Sequence, residues 1–212
     1  HVYGADGRIR VLVRDHNGAW RSVALLAEDG IDLRDPKLSL MPDGRIMMVC
    51  GGSDYEDRTL VGAGSRVAFS DRNGEGFGPV VPVAIDPEVR SGLDWLWRVT
   101  WDQSGTAWGV VYQHSGEDSR LRLVSSEDGI AWRYVVDLPV EGRGNETTLH
   151  IDGDGRMTAL VRREGSDARA MLGHASPPYL DWTFDPLPEA IGGPDLVRSP
   201  TGDGWIVSGR RY

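Results

Sequence analysis

Residues 121–138 read LRLVSSEDGIAWRYVVDL and hold two strand-like runs on either side of Asp128-Gly129. An Asp-Gly pair between runs rich in valine, leucine and aromatic residues is among the strongest local signals for a β-hairpin. The glycine supplies the positive φ of the tight turn. Trp132 follows three residues later. The stretch therefore predicts a hairpin with an aromatic side chain packed beside its turn.

This turn belongs to a set that repeats about every 55 residues, with glycines at 18, 74 and 129. Its members are Asn17-Gly18 followed by Trp20, Asn73-Gly74 followed by Phe77, and Asp128-Gly129 followed by Trp132. A fourth copy over 176–182 carries Pro177-Pro178-Tyr179 before Trp182. The set predicts outer hairpins over 8–24, 66–83, 120–136 and 169–185.

A second set of turns alternates with the first. Its members are Asp43-Gly44, Ser104-Gly105, Asp154-Gly155 and Asp203-Gly204. Apolar runs such as 45–50 and 156–161 flank these turns, which predicts inner hairpins over 36–50, 96–112, 146–163 and 194–211. Segments with a helical period are short and are broken by glycine or proline.

Two hairpins in each period give four strands, which is typical of a propeller blade. We therefore predict an all-β protein, a β-propeller of four-stranded antiparallel blades, with about four blades over the single domain 1–212. Either the two ends complete a four-bladed ring, or the chain is part of a larger propeller. An open piece would expose two sheet edges, so we expect it to associate with another copy.

Composition excludes several classes of function. The chain has 23 Lys+Arg against 32 Asp+Glu and a formal net charge of -9. This balance argues against nucleic acid or an anionic membrane as the main partner, and no apolar run approaches the roughly 20 residues of a membrane span. Cys50 is the only cysteine, so an intramolecular disulfide and a cysteine metal cluster are excluded. The histidines lack zinc-ligand spacing, and we expect no metal or organic cofactor.

Several segments resemble a known family. Residues 126–132 are similar to the Asp-box, the Ser-x-Asp-x-Gly-x-x-Trp turn of sialidase-type (BNR-repeat) propellers, and 70–77 and 14–20 are looser copies. Further segments resemble the bacterial sialidase-like family in order and spacing: 32–39, 95–101, 145–149 and 192–194. The resemblance implies a six-bladed fold, of which this chain is an internal, incomplete piece. It also implies that the Asp-box turns lie on the outer rim and are structural.

Charged residues flank the apolar inner strands, where they cost free energy unless they are paired or functional. In a propeller, the loops that enter the first inner strand and leave the second lie on one face, so four groups should surround one mouth. These groups are Asp32, Arg34 and Asp35; Trp97 and Arg98; Asn145 and Glu146 with Arg162 and Arg163; and Asp195 with Arg210 and Arg211.

Glu146 and Arg162 stand at opposite ends of one predicted inner hairpin, so they should lie side by side. The resemblance implies that Glu146 activates a tyrosine nucleophile, that Arg162 binds the substrate carboxylate, and that Arg210 or Arg211 is a second member of an arginine triad. The alternative is an ion pair that only ties the strands together. Arg162 and Arg163 alternate in direction along the strand, and we favour Arg162 for the site.

The resemblance offers Asp35 or Asp32 as the acid/base catalyst, although an Asp-Pro turn at a strand start explains Asp35 equally well. Arg98, Arg34 and Trp97 are candidate substrate contacts, with aromatic core packing as the alternative for Trp97. The family's first triad arginine and its tyrosine nucleophile have no match here and should lie outside the chain.

The resemblance therefore implies that the intact parent is a sialidase-like glycoside hydrolase of the exo-α-sialidase type, a retaining enzyme with a Tyr/Glu pair, and that this chain carries part of its active site. Its expected partner is carbohydrate, sialic acid or a related acidic glycan, bound through arginine forks. Three alternatives remain: a carbohydrate-binding propeller without hydrolysis, a glycosidase of different sugar specificity, and a structural propeller.

Overall fold

The computed structural model describes residues 6–90, 92–113, 120–202 and 204–211. These residues form seventeen β-strands joined by turns and loops, and no α-helix occurs within them. Accordingly, the described part contains no helix long and apolar enough to cross a membrane. The all-β prediction is confirmed. Asp203, in the last predicted inner turn, lies outside the described residues.

The strands form five sheets that follow one another along the chain. The first sheet pairs β1 (Ile9–Arg14) with β2 (Trp20–Leu26). The second contains β3 (Ile31–Leu40), β4 (Ile46–Glu56), β5 (Thr59–Phe69) and β6 (Val81–Pro82). The third contains β7 (Ala84–Ile85), β8 (Asp94–Trp101), β9 (Ala107–Gln113), β10 (Leu121–Ser126) and β11 (Ala131–Leu138). The fourth contains β12 (Arg143–Ile151), β13 (Met157–Glu164), β14 (Met171–Ala175) and β15 (Thr183–Pro186), and the fifth pairs β16 (Ile191–Arg198) with β17 (Trp205–Arg211).

Both predicted sets of hairpins are present. The inner set is β3–β4, β8–β9, β12–β13 and β16–β17, and the outer set is β1–β2, β5–β6, β10–β11 and β14–β15. The sheets are less uniform than expected. Only the second and fourth have four strands; the third gains β7, which runs parallel to β11, and the first and fifth have two.

The core lies between neighbouring sheets. One apolar cluster joins the second and third sheets and includes Met47, Val67, Val99 and Trp132, all 2% exposed or less. A larger cluster joins the third and fourth sheets through side chains from β8 to β15. The inner strands also touch in chain order, β3 with β8, β8 with β12 and β12 with β16. Burial of these large side chains is the main force that holds the sheets together.

The turn at Asp128 has the contacts that its sequence predicts. The Asp128 carboxylate accepts backbone N–H bonds from Ile130 at 2.7 Å and Ala131 at 2.9 Å. Gly129 has a φ of 76°, and Trp132 packs beneath the turn and donates its indole N–H to the Gly129 carbonyl at 3.0 Å. The tight turn leaves these backbone N–H groups without a partner on a neighbouring strand. The Asp128 carboxylate accepts their hydrogen bonds in place of water.

The copies of this turn differ in how they use the aromatic residue. Trp182 repeats the indole bond, donating to the carbonyl of Tyr179 at 2.9 Å, and Tyr179 takes the positive φ that Gly129 has in its own turn. Trp20 does not follow the prediction, because it is 64% exposed. Its sheet has only two strands, so the described residues provide little surface on which the indole could pack.

Candidate functional site

The four inner hairpins share one irregularity, a β-bulge in the first strand. The register shifts between Arg34 and Lys37, Leu96 and Val99, Gly144 and Thr147, and Gly192 and Asp195. A bulge bends its strand and turns the extra side chains away from the regular alternation. The residues in the bulges are Asp35-Pro36, Trp97-Arg98, Asn145-Glu146 and Gly193-Pro194. Four of the predicted site residues, Asp35, Trp97, Arg98 and Glu146, therefore owe their positions to these bulges.

Glu146 and Arg162 are in contact, as their spacing predicts. Arg162 Nη1 lies 2.8 Å from Glu146 Oε2, and its Nη2 lies 2.8 Å from Glu164 Oε1. Arg162 occupies the single position on β13 that faces the two-residue bulge, because Gly144 pairs with Arg163 and Thr147 with Val161. Glu146 is only 9% exposed, and it also accepts the backbone N–H of Gly193 at 2.7 Å. The carboxylate thus links the bulges of the fourth and fifth sheets.

A second group brings together residues of the second, third and fifth sheets. The Lys37 ammonium lies 3.7 Å from the centre of the Trp97 ring and donates to the Asp35 carbonyl at 2.9 Å. Arg98 Nη2, on β8 of the third sheet, lies 3.2 Å from Asp195 Oδ2, on β16 of the fifth sheet. The inner strands of four sheets therefore converge. We call these side chains the bulge cluster: Asp35, Lys37, Trp97, Arg98, Glu146, Arg162 and Asp195.

Burial and charge shift the pKa values of groups in this region. Burial lowers the pKa of Lys37, while the carboxylates of Asp35, Glu146 and Asp195 oppose the shift and Arg98 adds to it. Burial likewise lowers the pKa of Arg98, against the effect of Asp195. Burial raises the pKa of the Tyr112 phenol, and the nearby Glu146 carboxylate raises it further. Opposite charges are thus packed into a partly dehydrated space, where electrostatic interactions are stronger than in water.

The two candidate acid/base residues occupy different surroundings. Asp32 accepts the backbone N–H of Gly7 at 3.1 Å and pairs with Arg34, which also donates to the Tyr55 hydroxyl at 3.3 Å. Asp35 is exposed, and its charge acts on Lys37 and Tyr112. The expectation that Asp35 begins a strand is wrong. β3 starts at Ile31, and Asp35, with a φ of 53°, lies within the bulge, a position where proline can follow inside a sheet.

The remaining predicted arginines lie at different places. Arg163 is 8% exposed and donates to the carbonyls of Arg169 and Glu141, so it fastens two loops rather than facing Glu146. Arg211 is exposed and pairs with Glu189 at 3.0 Å. Arg210 lies closer to the bulge cluster: it is opposite Gly192, with its Nε 3.9 Å from where a Cβ on residue 193 would stand.

Sequence reasoning assigned no role to Lys37, Tyr112 or Gly193. A signal for the bulges was present in Asp35-Pro36 and Gly193-Pro194, because proline inside an inner strand points to a bulge or an edge. The contact between Lys37 and Trp97 joins two sheets, so no local pattern could reveal it. Within the described residues, no group of three or more His, Cys, Asp and Glu side chains has the arrangement needed to hold a metal ion.

Comparisons with known proteins identify a shared fold. No family model matches the sequence, and no curated protein matches it significantly. A protein of unknown function from Dyadobacter fermentans DSM 18053 matches with a TM-score of 0.69 and 20% identity over 87% of this chain and 59% of its own. A xylan β-1,4-xylosidase from Bacillus halodurans C-125 matches with a TM-score of 0.62 and 16% identity over 98% of this chain and 45% of its own. An α-L-arabinofuranosidase from Fusarium graminearum matches with a TM-score of 0.62 and 13% identity over 97% of this chain and 61% of its own.

These similarities are similarities of fold. It spans about half to three fifths of the length of these solved structures. At 20% identity or less, the likeness shows a common all-β architecture and carries no residue roles from one protein to the other.

Proposed function

We propose that the five sheets are blades, or parts of blades, of a β-propeller and that the bulge cluster lies at its mouth. The inner strands contact one another in sheet order, and an apolar layer fills the space between neighbouring sheets. The Arg98–Asp195 pair joins inner strands that are not neighbours, which supports their convergence on one axis. The contacts at Asp128 support an Asp-box-like turn on the outer hairpin.

We further propose that the protein is a glycoside hydrolase of the sialidase-like type, acting on a terminal acidic sugar. The observation that carries the proposal is the buried Glu146–Arg162 pair, in which the carboxylate at a bulge is held by a guanidinium at 2.8 Å and a backbone N–H at 2.7 Å. Two solved structures of similar fold are named as a xylosidase and an arabinofuranosidase, which supports action on glycosides without specifying the sugar.

The geometry defines what Glu146 could contribute. Two donors fix the orientation of its side chain, and an oriented carboxylate can accept a proton as a general base. In a retaining mechanism of the Tyr/Glu type, this base activates a tyrosine that attacks the anomeric carbon. Asp35, an exposed member of the bulge cluster, is better placed than Asp32 to donate a proton to the leaving group. The cations of the cluster that an acidic sugar could contact are Arg162, Arg98 and Lys37.

The test compares hydrolysis of fluorogenic sugars by the whole natural protein that contains this chain and by its Glu146→Gln variant. We expect release from 4-methylumbelliferyl N-acetylneuraminide and at least a hundredfold lower kcat for the variant, because the amide cannot accept the proton. Glu75→Gln is the matched control, since Glu75 is an exposed carboxylate paired with Arg21 on an outer hairpin. Equal hydrolysis by protein and variant would contradict the role of Glu146. Release from a neutral xyloside or arabinofuranoside instead would favour a glycosidase of different specificity.

A carbohydrate-binding propeller without hydrolysis is the second candidate. It is favoured by the contacts of Glu146 Oε2 with Arg162 and with the N–H of Gly193, which also suit a purely structural ion pair. Sugar binding without release of product would support this candidate.

A further inference from the structure

The arginines of the bulge cluster already have carboxylate partners. Arg162 uses its two terminal nitrogens on Glu146 and Glu164, each at 2.8 Å. Arg98 pairs with Asp195 at 3.2 Å. An anionic ligand would have to compete with these carboxylates for either guanidinium. The family resemblance implies that Arg162 binds the substrate carboxylate. To do so, Arg162 would first have to give up an ion pair that it already forms, which costs free energy.

Lys37 is placed differently. Its ammonium has three donors, and one of them goes to the Asp35 carbonyl. The ammonium also lies over the face of Trp97, whose ring attracts the cation and holds it in place. Within the described residues, no carboxylate forms a salt bridge with Lys37, although Asp35, Glu146 and Asp195 are near enough to act on its pKa. Lys37 is thus the cation of the bulge cluster that forms no salt bridge with a carboxylate of the described residues, and it has donors left over.

The choice of lysine at this position is itself unusual for the chain. Of 23 basic residues, Lys37 is the only lysine and the rest are arginines. An ammonium is a compact point charge with donors that can rotate, whereas a guanidinium is a planar fork that would tend to stack flat on the indole. The lysine therefore keeps donors directed away from the ring, where a ligand can meet them.

The two neighbours of Lys37 also have unused donors. Trp97 Nε1 and Arg98 Nε are buried and have no hydrogen-bond partner within the described residues. Buried donors without acceptors are costly, so sites that retain them commonly have an acceptor supplied by water or a ligand. Trp97 and Arg98 therefore provide further donors near Lys37 that an oxygen-rich anion could accept.

We propose that Lys37 contacts the anionic group of the ligand in the bulge cluster and thereby sets the preference for an acidic over a neutral sugar. This inference rests on the proposed function, because it names the residue that would select the acidic substrate. The sugar carboxylate would accept a hydrogen bond from the ammonium, while Trp97 holds the lysine from the other side. Arg162 would keep Glu146 in place rather than bind the ligand carboxylate.

The test measures binding rather than turnover. Isothermal titration of N-acetylneuraminic acid and of its methyl ester compares two ligands that differ in the negative charge and in one added methyl group. We expect the protein to bind the acid at least tenfold more tightly than the ester. Lys37→Met and Lys37→Gln should lose this preference and leave the affinity for the ester within twofold, because only the charge-assisted bond is removed.

Arg21→Met is the matched control, because it removes one positive charge from an exposed outer hairpin. It should retain the preference for the acid. Thermal denaturation of each variant verifies that it is folded. Two different substitutions of Lys37 are used so that a folding defect caused by one of them is not mistaken for a loss of binding. The inference is overturned if both folded variants still prefer the acid, or if the protein binds acid and ester equally or binds neither.

Binding and hydrolysis separate the two proposals. If Lys37 variants lose the preference for the acid but no glycoside is cleaved, the ligand contact stands and the hydrolase proposal fails. If Glu146→Gln abolishes hydrolysis while Lys37 variants keep the preference, the hydrolase proposal stands and the role of Lys37 is wrong.

Discussion

Replacing Glu146 with alanine removes two short interactions from the interior, one with Arg162 and one with the N–H of Gly193. Breaking a buried ion pair on one side costs about 3–5 kcal/mol when the other charge is left alone. Arg162 keeps Glu164 as a partner, so we expect a loss at the lower end, about 3 kcal/mol. Glu146→Gln keeps the shape and one acceptor oxygen, so about 1 kcal/mol is expected.

Glu164→Ala is an informative control, because Glu164 binds the same arginine at the same 2.8 Å distance. Its side chain is 42% exposed against 11% for Glu146. Solvent screens the exposed pair, and we expect its loss to cost less than about 1 kcal/mol. The contrast between the two glutamates isolates the effect of burial from that of distance.

Urea denaturation followed by tryptophan fluorescence measures each free energy of unfolding. A double-mutant cycle with Arg162→Met should give a coupling of about 1–3 kcal/mol between Glu146 and Arg162, because each group loses its value once the other is gone. The reasoning is refuted if Glu164→Ala is as costly as Glu146→Ala, or if the effects of the Glu146 and Arg162 substitutions are additive.

The remaining predictions use the same denaturation assay. Asp128→Ala should cost about 2 kcal/mol, because two turn N–H groups and a serine hydroxyl lose their acceptor, and an unchanged midpoint would contradict this. Burial lowers the pKa of His150 and His174 below 6.5, so the folded protein favours their neutral forms. The free energy of unfolding should therefore decrease as the pH falls below 6.5, because the unfolded chain binds more protons. An unfolding free energy that stays constant from about pH 7 to 5 would contradict this prediction. Gly51→Ala places a methyl group against a buried indole and should cost more than about 2 kcal/mol, whereas Gly153→Ala has open space and should change stability by less than about 0.5 kcal/mol.

The hairpins could be predicted from the sequence because their signals are local. Turn dipeptides such as Asn73-Gly74 and Asp154-Gly155 specify a tight reversal, and the apolar runs beside them specify the strands. The short strand β7 escaped prediction because Ala84 and Ile85 are ordered by pairing with β11 of the following sheet. A strand of two residues is too short for its sequence pattern to predict pairing with a strand more than forty positions away.

The candidate site was predicted less completely for a related reason. Glu146 and Arg162 share one hairpin, so their contact follows from spacing along the chain. Arg163 and Arg211 also stand near the ends of inner strands, but Arg163 binds loop carbonyls and Arg211 pairs with Glu189. Lys37 could not be identified from the sequence because its contact with Trp97 joins two sheets and depends on how those sheets pack.

A crystal structure of the protein with N-acetylneuraminic acid bound tests the central claim most directly. The account predicts a sugar within hydrogen-bonding distance of the bulge cluster, with its carboxylate at the Lys37 ammonium and its ring facing Glu146. A sugar held at the outer turns near Asp128, or elsewhere on the surface with the bulge cluster unoccupied, would contradict the account.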